Sequence, residues 1–327
     1  MAVTRTNVMT DIAARGAYIQ GVQALKAEFP AGATTDKLGV NGPKQQLSTW
    51  DLFVMWHGRA SSMSQNTVIH QGPVFLPWHR WMLLLMEANI ARALGRPNFA
   101  LPYWDWAVDG NQPKAQQPAS AIFAKEAFGG GRGSQQQEAP VPDGPFGSTG
   151  SFVVRVVQSP TAGLISVSRP LRRRLGVLTR LPRQADVTGN LAVTPYDASP
   201  YNGTSTGGMR NQLEGWAPST RTQPVHLHNQ VHVFIGGDME KSTSPNDPLF
   251  YMNHANIDRI WAAWQQQHAT LPTAERYPTG AGVPAGHRLT DSLYSALTNR
   301  LTAGAVIPKV NEMISTSALY AYDMLPT

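Results

Sequence analysis

Apolar side chains recur at helical spacing along much of the chain. From residue 5 to 28 the positions Ile12, Ala13, Ala17, Ile19, Val22 and Leu25 line one side, which predicts an amphipathic helix. Ser48-Thr49-Trp50-Asp51 has the hydroxyl cap and early acid of a helix start. The run Leu52–Arg59 that follows carries His57 among Phe53, Val54, Met55 and Trp56. The most strongly apolar helix is expected over Trp81–Leu94, opened by His79, with Met82, Leu83, Leu85, Met86, Ile90 and Ala93 available to a core. Before it, Gly72-Pro73-Val74-Phe75-Leu76-Pro77-Trp78 reads as an extended, stiffened segment, because proline fixes its own φ and disfavours helix in the residue ahead of it. Residues 255–268 predict a further core helix through Ile257, Ile260, Trp261 and Trp264. Shorter helices are expected at Met209–Glu214, ended by Gly215, and near Thr290–Leu301.

Strand patterns are few. Phe152–Val157 is one, and Leu164–Val167 is its natural partner. Leu101–Trp106 is a short aromatic strand or turn, Ala31–Gln46 a loop, and 107–208 a long irregular region rich in Gly, Pro, Ser and Gln. No internal repeat or linker divides the chain, so residues 1–327 are read as a single domain.

Composition narrows the function classes. With 42% hydrophobic and 15% charged residues the chain is globular, and its length allows a large core. No apolar run approaches a membrane span, so no membrane partner is expected. The N-terminus lacks the apolar core of an export signal. A cytoplasmic protein, or one exported on a partner, is expected. The absence of cysteine removes disulfides, thiolate metal sites and cysteine nucleophiles. Net charge is +6, concentrated at Arg169, Arg172, Arg173, Arg174, Arg180 and Arg183. No nucleic-acid motif accompanies that cluster, so it reads as a solvated loop or a docking face for an acidic partner.

The informative chemistry lies in histidine. His228 and His232 stand four apart and share one helical face, with His254 on the next helical run. A single such pair is a common surface accident. Here a second triplet, His57, His70 and His79, stands upstream. All-imidazole triplets suit copper better than magnesium or calcium, which take oxygen ligands. Zinc also accepts imidazole, but no carboxylate close in sequence to a ligand is available to bridge two ions as in a zinc hydrolase. Glu87 lies two turns past His79 on nearly the same face and is read as the buried partner of an arginine.

His70–Arg80 (HQGPVFLPWHR), Leu101–Trp106 (LPYWDW), Leu227–His232 (LHNQVH) and Asn246–Phe250 (NDPLF) followed by His254 resemble, in order, the motifs of the tyrosinase family. Asp143–Phe146 and Tyr320–Asp323 also look familial, and the likeness is closest to the short bacterial members. The resemblance implies a mainly α fold, a four-helix bundle holding a type 3 dicopper centre, with long loops and a few short strands. It implies two copper ions, one on His57, His70 and His79 and the other on His228, His232 and His254, with dioxygen as cosubstrate. The implied activity oxidises ortho-diphenols or ortho-aminophenols to quinones or iminoquinones, with ortho-hydroxylation of monophenols. An oxidase without the hydroxylation step and a reversible oxygen carrier are the alternatives. Glu214 and Asn229 correspond to the pair that holds a water to deprotonate a phenol. In the short bacterial enzymes a caddie-like protein delivers copper and carries the enzyme out of the cell; the arginine cluster at 169–183 is a candidate face for such a partner.

The sequence departs from the family at Asn253, where most relatives carry a histidine beside the substrate. Asn253 is therefore expected to change a wall of the pocket, beside Val233 and Phe250 as further substrate-facing residues. Glu214 lies fourteen residues before His228, which implies an enlarged loop at about 218–226. Phe75 and Phe250 are read as packing against ligand imidazoles, Asp247 as fixing its own turn, and Asp258 as pairing with Arg259 or a neighbouring helix. His226, His268 and His287 are expected at the surface.

Overall fold

The computed structural model describes residues 3–62, 69–216, 226–295, 306–316 and 318–327. Its helices are α1 (Ile12–Ala27), α2 (Thr49–Ser62), α3 (Phe75–Leu94), α4 (Trp106–Gly110), α5 (Gln184–Leu191), α6 (Met209–Glu214), α7 (Leu227–Ile235), α8 (Leu249–Gln267) and α9 (Thr273–Arg276). The strands are β1 (Val3–Arg5), β2 (Ala139–Pro140), β3 (Val154–Ser159), β4 (Gly163–Arg169), β5 (Arg172–Arg173) and β6 (Tyr320–Tyr322). They make three two-stranded sheets, β3–β4 antiparallel as the sequence predicts, β2–β5 antiparallel, and β1–β6 parallel. The molecule is helix-dominated, and α2, α3, α7 and α8 form the bundle at its centre.

The helix starts differ from the sequence reading for identifiable reasons. The first helix begins at Ile12, where Asp11 Oδ1 accepts the Ala14 N–H at 2.9 Å as an N-cap. Residues ahead of it are drawn into strand β1 by pairing with the C-terminal β6. Helix α3 starts at Phe75, not at His79: Pro77 sits in the first turn, where its missing N–H has no intrahelical partner to lose. Helix α8 likewise begins at Leu249, so His254 lies in its second turn. The 107–208 region contains a helix, α5, that its polar sequence hides. Leu101–Trp106 is no strand; Tyr103 makes one isolated bridge to Asn7, and Trp106 opens α4. Residues 290–295 are not helical, and the rest of the helix expected at Thr290–Leu301 lies outside the described residues.

The core is aromatic. Trp50, Trp56, Trp78, Trp104, Trp106, Trp261 and Trp264 are fully buried. Helix α1 packs closely on α3 because Gly21 faces Ile90; a Cβ there would clash with Ile90 Cγ2. A buried ionic knot fixes α3 to α8 and to both chain ends. Glu87 accepts from Arg5 Nε at 2.8 Å, and Asp258 accepts from Arg80 Nε at 2.6 Å and Arg5 Nη1 at 3.2 Å. Tyr320 and Tyr322 hydroxyls also donate to Asp258. The arginine partner expected for Glu87 is thus Arg5. Asp258 pairs with the neighbouring helix through Arg80, while Arg259 turns to Asp105 at 3.1 Å.

The arginine cluster is not a solvated loop. Arg173 is fully buried and bidentate to Asp247, at 2.6 and 2.9 Å. Arg169 pairs with Asp238, Arg174 with Glu240, and Arg180 with Asp186. Such internal pairing cancels most of the charge a docking face would use. Asp247 still fixes its own turn, accepting the Leu249 N–H at 3.0 Å. Two histidines also depart from expectation: His226 and His287 are buried, and His268 is half-buried against Trp264.

Candidate metal centre

Four helices and one loop bring the histidines together. His57 comes from α2, His79 from α3, His228 and His232 from consecutive turns of α7, and His254 from α8. His70 sits in the loop before α3, followed by Gln71 with φ +57°, a left-handed conformation that turns the chain sharply. In each triplet, His57/His70/His79 and His228/His232/His254, one ring nitrogen per residue lies within 4.8 Å of the others. The triplets face each other, with the His79 and His254 rings stacked at 4.2 Å.

The ring orientations fit metal ligation. His57 Nδ1 faces the Ser242 carbonyl at 2.6 Å, His79 Nδ1 the Phe75 carbonyl at 2.8 Å, and His232 Nδ1 the Met239 carbonyl at 2.6 Å. His228 Nδ1 faces the Glu214 carbonyl at 3.2 Å and Asn229 Oδ1 at 3.0 Å. An Nδ1–H donated to an oxygen leaves Nε2 as the lone-pair donor. The Nε2 atoms converge accordingly: 3.4 Å between His57 and His79, 3.0 Å between His228 and His232, 3.1 Å between His228 and His254. Two imidazoles bound to one ion at about 2.0–2.1 Å stand roughly 3–3.5 Å apart, so the spacing suits a shared ion. His254 differs: its Nδ1 is buried with no hydrogen-bond partner among the described residues. It is held by ring packing, 4.2 Å from Phe250.

Burial pushes all six imidazoles toward the neutral form that binds metal. His57 falls to about 3 and His232 to about 4, and the other four lie well below their usual range. Six converging neutral imidazoles without a cysteine or carboxylate match the donor preference of copper.

A cavity of about 400 Å³ opens onto the centre, reached past Ser61, Gln71, Trp216, Asn229, Val233 and Lys241. A larger groove of about 540 Å³ between α1 and the segment after α3 carries no histidine and lies away from this chemistry. Val233 lines the cavity, as does Asn229. Phe250 does not; it is buried, packing on His57 at 4.9 Å and His254 at 4.2 Å. Phe75 does the same for His79 and His228. Asn253 is also fully buried and outside the lining: adjacent helical positions point about 100° apart, so following the ligand direction of His254 is not possible for it. Its Oδ1 instead accepts from Trp106 Nε1 at 3.1 Å.

Glu214 is buried behind the cavity wall. Its Oε1 accepts the Gln71 N–H at 2.6 Å and Trp216 Nε1–H at 2.9 Å, and its Oε2 meets Arg210 Nη1 at 3.0 Å. Burial pushes its carboxyl up, against the downward pull of Arg210 and these donors. The enlarged loop expected at about 218–226 lies, over 217–225, outside the described residues. Sequence reading overlooked Gln71, Trp216 and the Ser242 and Met239 carbonyls. Trp216 stands next to Gly215, and that proximity to Glu214 was the available signal; a main-chain carbonyl gives none.

A helix bundle presenting two facing imidazole triads defines a binuclear copper protein. Comparison with known proteins agrees. The family model described as the common central domain of tyrosinase matches residues 47–267. The tyrosinase of Streptomyces antibioticus is 41% identical over 245 residues, covering 73% of this chain and 80% of the relative. The grixazone synthase of Streptomyces griseus is 34% identical over 245 residues, covering 68% and 77%. A polyphenol oxidase from Thermothelomyces thermophila shares the fold with a TM-score of 0.70 at 22% identity, over 99% of this chain and 89% of that one. The chain belongs to the tyrosinase family. It is an oxidoreductase of the type 3 copper class, acting on phenolic substrates with dioxygen.

Proposed function

We propose that this enzyme ortho-hydroxylates monophenols and oxidises ortho-diphenols and ortho-aminophenols to quinones and iminoquinones, in one catalytic domain spanning the chain. His57, His70 and His79 would hold one copper, and His228, His232 and His254 the other. The bound copper pair supplies the activation of dioxygen. The cavity suits one substituted aromatic ring, with the small side chain of Val233 leaving room at the wall beside His232.

The observation that carries the hydroxylation step is the side chain of Asn229. Its Oδ1 is engaged by His228 Nδ1, which leaves Nδ2 as a buried donor with no partner among the described residues, in a residue that lines the cavity. A buried unpaired donor is costly, and a water accepting from it satisfies the group. A water held there stands near where a phenol hydroxyl enters, and Glu214 is the nearby carboxylate that would take its proton.

A second reading, an oxidase without the hydroxylation step, has one observation in its favour: the Glu214 carboxylate is screened from the cavity by its three donors. Oxygen uptake by the copper-loaded protein on a monophenol, the matching diphenol and the matching ortho-aminophenol separates the two. Monophenol turnover after a lag supports the first reading; turnover of only the other substrates establishes the second.

Copper delivery by a small caddie-like protein is consistent with this assignment, as is either a cytoplasmic location or export on that partner. No helix among the described residues is long and apolar enough to cross a membrane. With the arginine cluster internally paired, the partner's face is expected elsewhere. Its binding is tested by copper transfer from a purified donor protein.

A further inference from the structure

Trp216 occupies an unusual place at the centre. It is 41% exposed, lines the cavity beside Gln71 and Asn229, and at the same time donates its indole N–H to buried Glu214. The residue before it, Gly215, has φ +106°, and a Cβ there would clash with the His226 carbonyl oxygen and meet Asn229 Cβ at 2.8 Å. The chain therefore turns tightly at Gly215, which brings the indole back over the carboxylate.

A carboxylate oxygen has two lone pairs. Both on Glu214 Oε1 are taken, by Gln71 N–H and by the indole, while Oε2 faces Arg210. Two of these donors are fixed. The Gln71 donor is main chain, and Arg210 is fully buried and held by Asp197 through Nε and Nη2, each at 2.9 Å. The indole alone belongs to a half-exposed side chain.

We propose that Trp216 is a specificity-determining residue: its indole latches the Glu214 carboxylate away from the cavity, and its ring forms an aromatic wall against which the substrate ring packs. The proposal rests on the reading above that Glu214 serves monophenol hydroxylation. Diphenol oxidation needs no proton acceptor at this point and proceeds with the latch closed. Monophenol hydroxylation needs the carboxylate, so it proceeds only when the indole leaves Oε1. The latch thus sets the balance between the two activities.

The test compares Trp216→Phe, which keeps a ring and loses the N–H, with Trp216→Ala, Glu214→Gln and the Trp216→Phe/Glu214→Gln double variant, all as copper-loaded full chain. Trp216→Phe should raise the ratio of monophenol to diphenol kcat by about tenfold or more, the worth of one hydrogen bond to a charged group. Trp216→Ala should in addition raise KM for both substrates through loss of the wall. In the metal-free protein, the unfolding midpoints of Trp216→Phe and Glu214→Gln should be non-additive in the double variant, since the first removes the indole bond and the second weakens that same bond by taking the charge from its acceptor. A ratio that is unchanged or lower in Trp216→Phe, while Glu214→Gln lowers it, overturns the latch and leaves the role of Glu214 standing. A ratio indifferent to Glu214→Gln removes that role instead. Additive midpoints overturn the latch by themselves.

Discussion

The main-chain N–H of Gln71 donates to the Glu214 carboxylate at 2.6 Å, and this bond ties the loop carrying His70 to α6, whose last carbonyl faces His228. One residue thereby braces both triplets, the first through its side chain and the second through its main-chain carbonyl. Gln71 is held in a left-handed conformation that non-glycine residues seldom adopt, and the bond to Glu214 helps to offset that strain.

Removing this brace is costly. In Glu214→Ala the buried Arg210 retains only Asp197 as an acidic partner, and the Gln71 and Trp216 donors lose their acceptor. Breaking a buried pair from one side costs about 3 kcal/mol or more. Guanidinium unfolding of the metal-free protein should show that loss, with Glu214→Gln milder because it keeps an acceptor oxygen. A loss below about 1 kcal/mol for the alanine variant would show that the brace is weak.

Gly215→Ala is expected to damage the second triplet specifically. The added Cβ meets a main-chain oxygen of His226 and the Asn229 side chain, at a positive φ that disfavours alanine. His226 leads into α7, so the displacement is transmitted to His228. Strain and overpacking together cost about 2–4 kcal/mol. Copper retained per chain after dialysis should fall while the helical circular dichroism is kept; full retention of copper would refute the coupling.

Much of the site could be read from the chain, and the reasons are local. His228 and His232 announce themselves by i, i+4 spacing, and long apolar periodicity reveals α1, α2, α3 and α8. What failed was what depends on distant partners. Arg5 finds Glu87 and Asp258 across 82 and 253 positions, and the burial of His287 under the Gly72–Val74 turn has no local trace. The start of α3 was misplaced because proline breaks a helix interior but is tolerated in its first turn. Asn253 is expected in the pocket by analogy; in α8 it is buried and turned to the distant Trp106 indole instead.

The ligand assignment makes its own prediction. His228 sits within 3.1 Å of both His232 and His254 through Nε2, so His228→Ala removes the central donor of its triplet. The first triplet keeps its carbonyl anchors at Ser242 and Phe75. Elemental analysis after dialysis should therefore find copper reduced to about one ion per chain, since two imidazoles leave too few donors for tight binding. Undiminished copper would place the second ion elsewhere.

His287 gives the protein a defined acid sensitivity. Its Nδ1 accepts the Val74 N–H at 3.3 Å, at the start of α3, which only an unprotonated Nδ1 can do. Burial lowers it to about 4, with Arg210 pulling the same way and Asp291 opposing. The unfolded chain, with an ordinary imidazole near 6.5, takes up the proton first as pH falls. The contribution of neutral His287 is therefore complete above pH 6.5 and is lost progressively between 6.5 and about 4. The slope due to this one group is about 1.4 kcal/mol per pH unit inside that window and near zero outside it. His287→Gln retains an acceptor oxygen for Val74 but cannot titrate, so its stability should fall less steeply over the same range. Denaturant unfolding of both proteins at matched copper loading, from pH 7 to 5, measures the difference; parallel curves would mean that His287 is protonated as readily folded as unfolded.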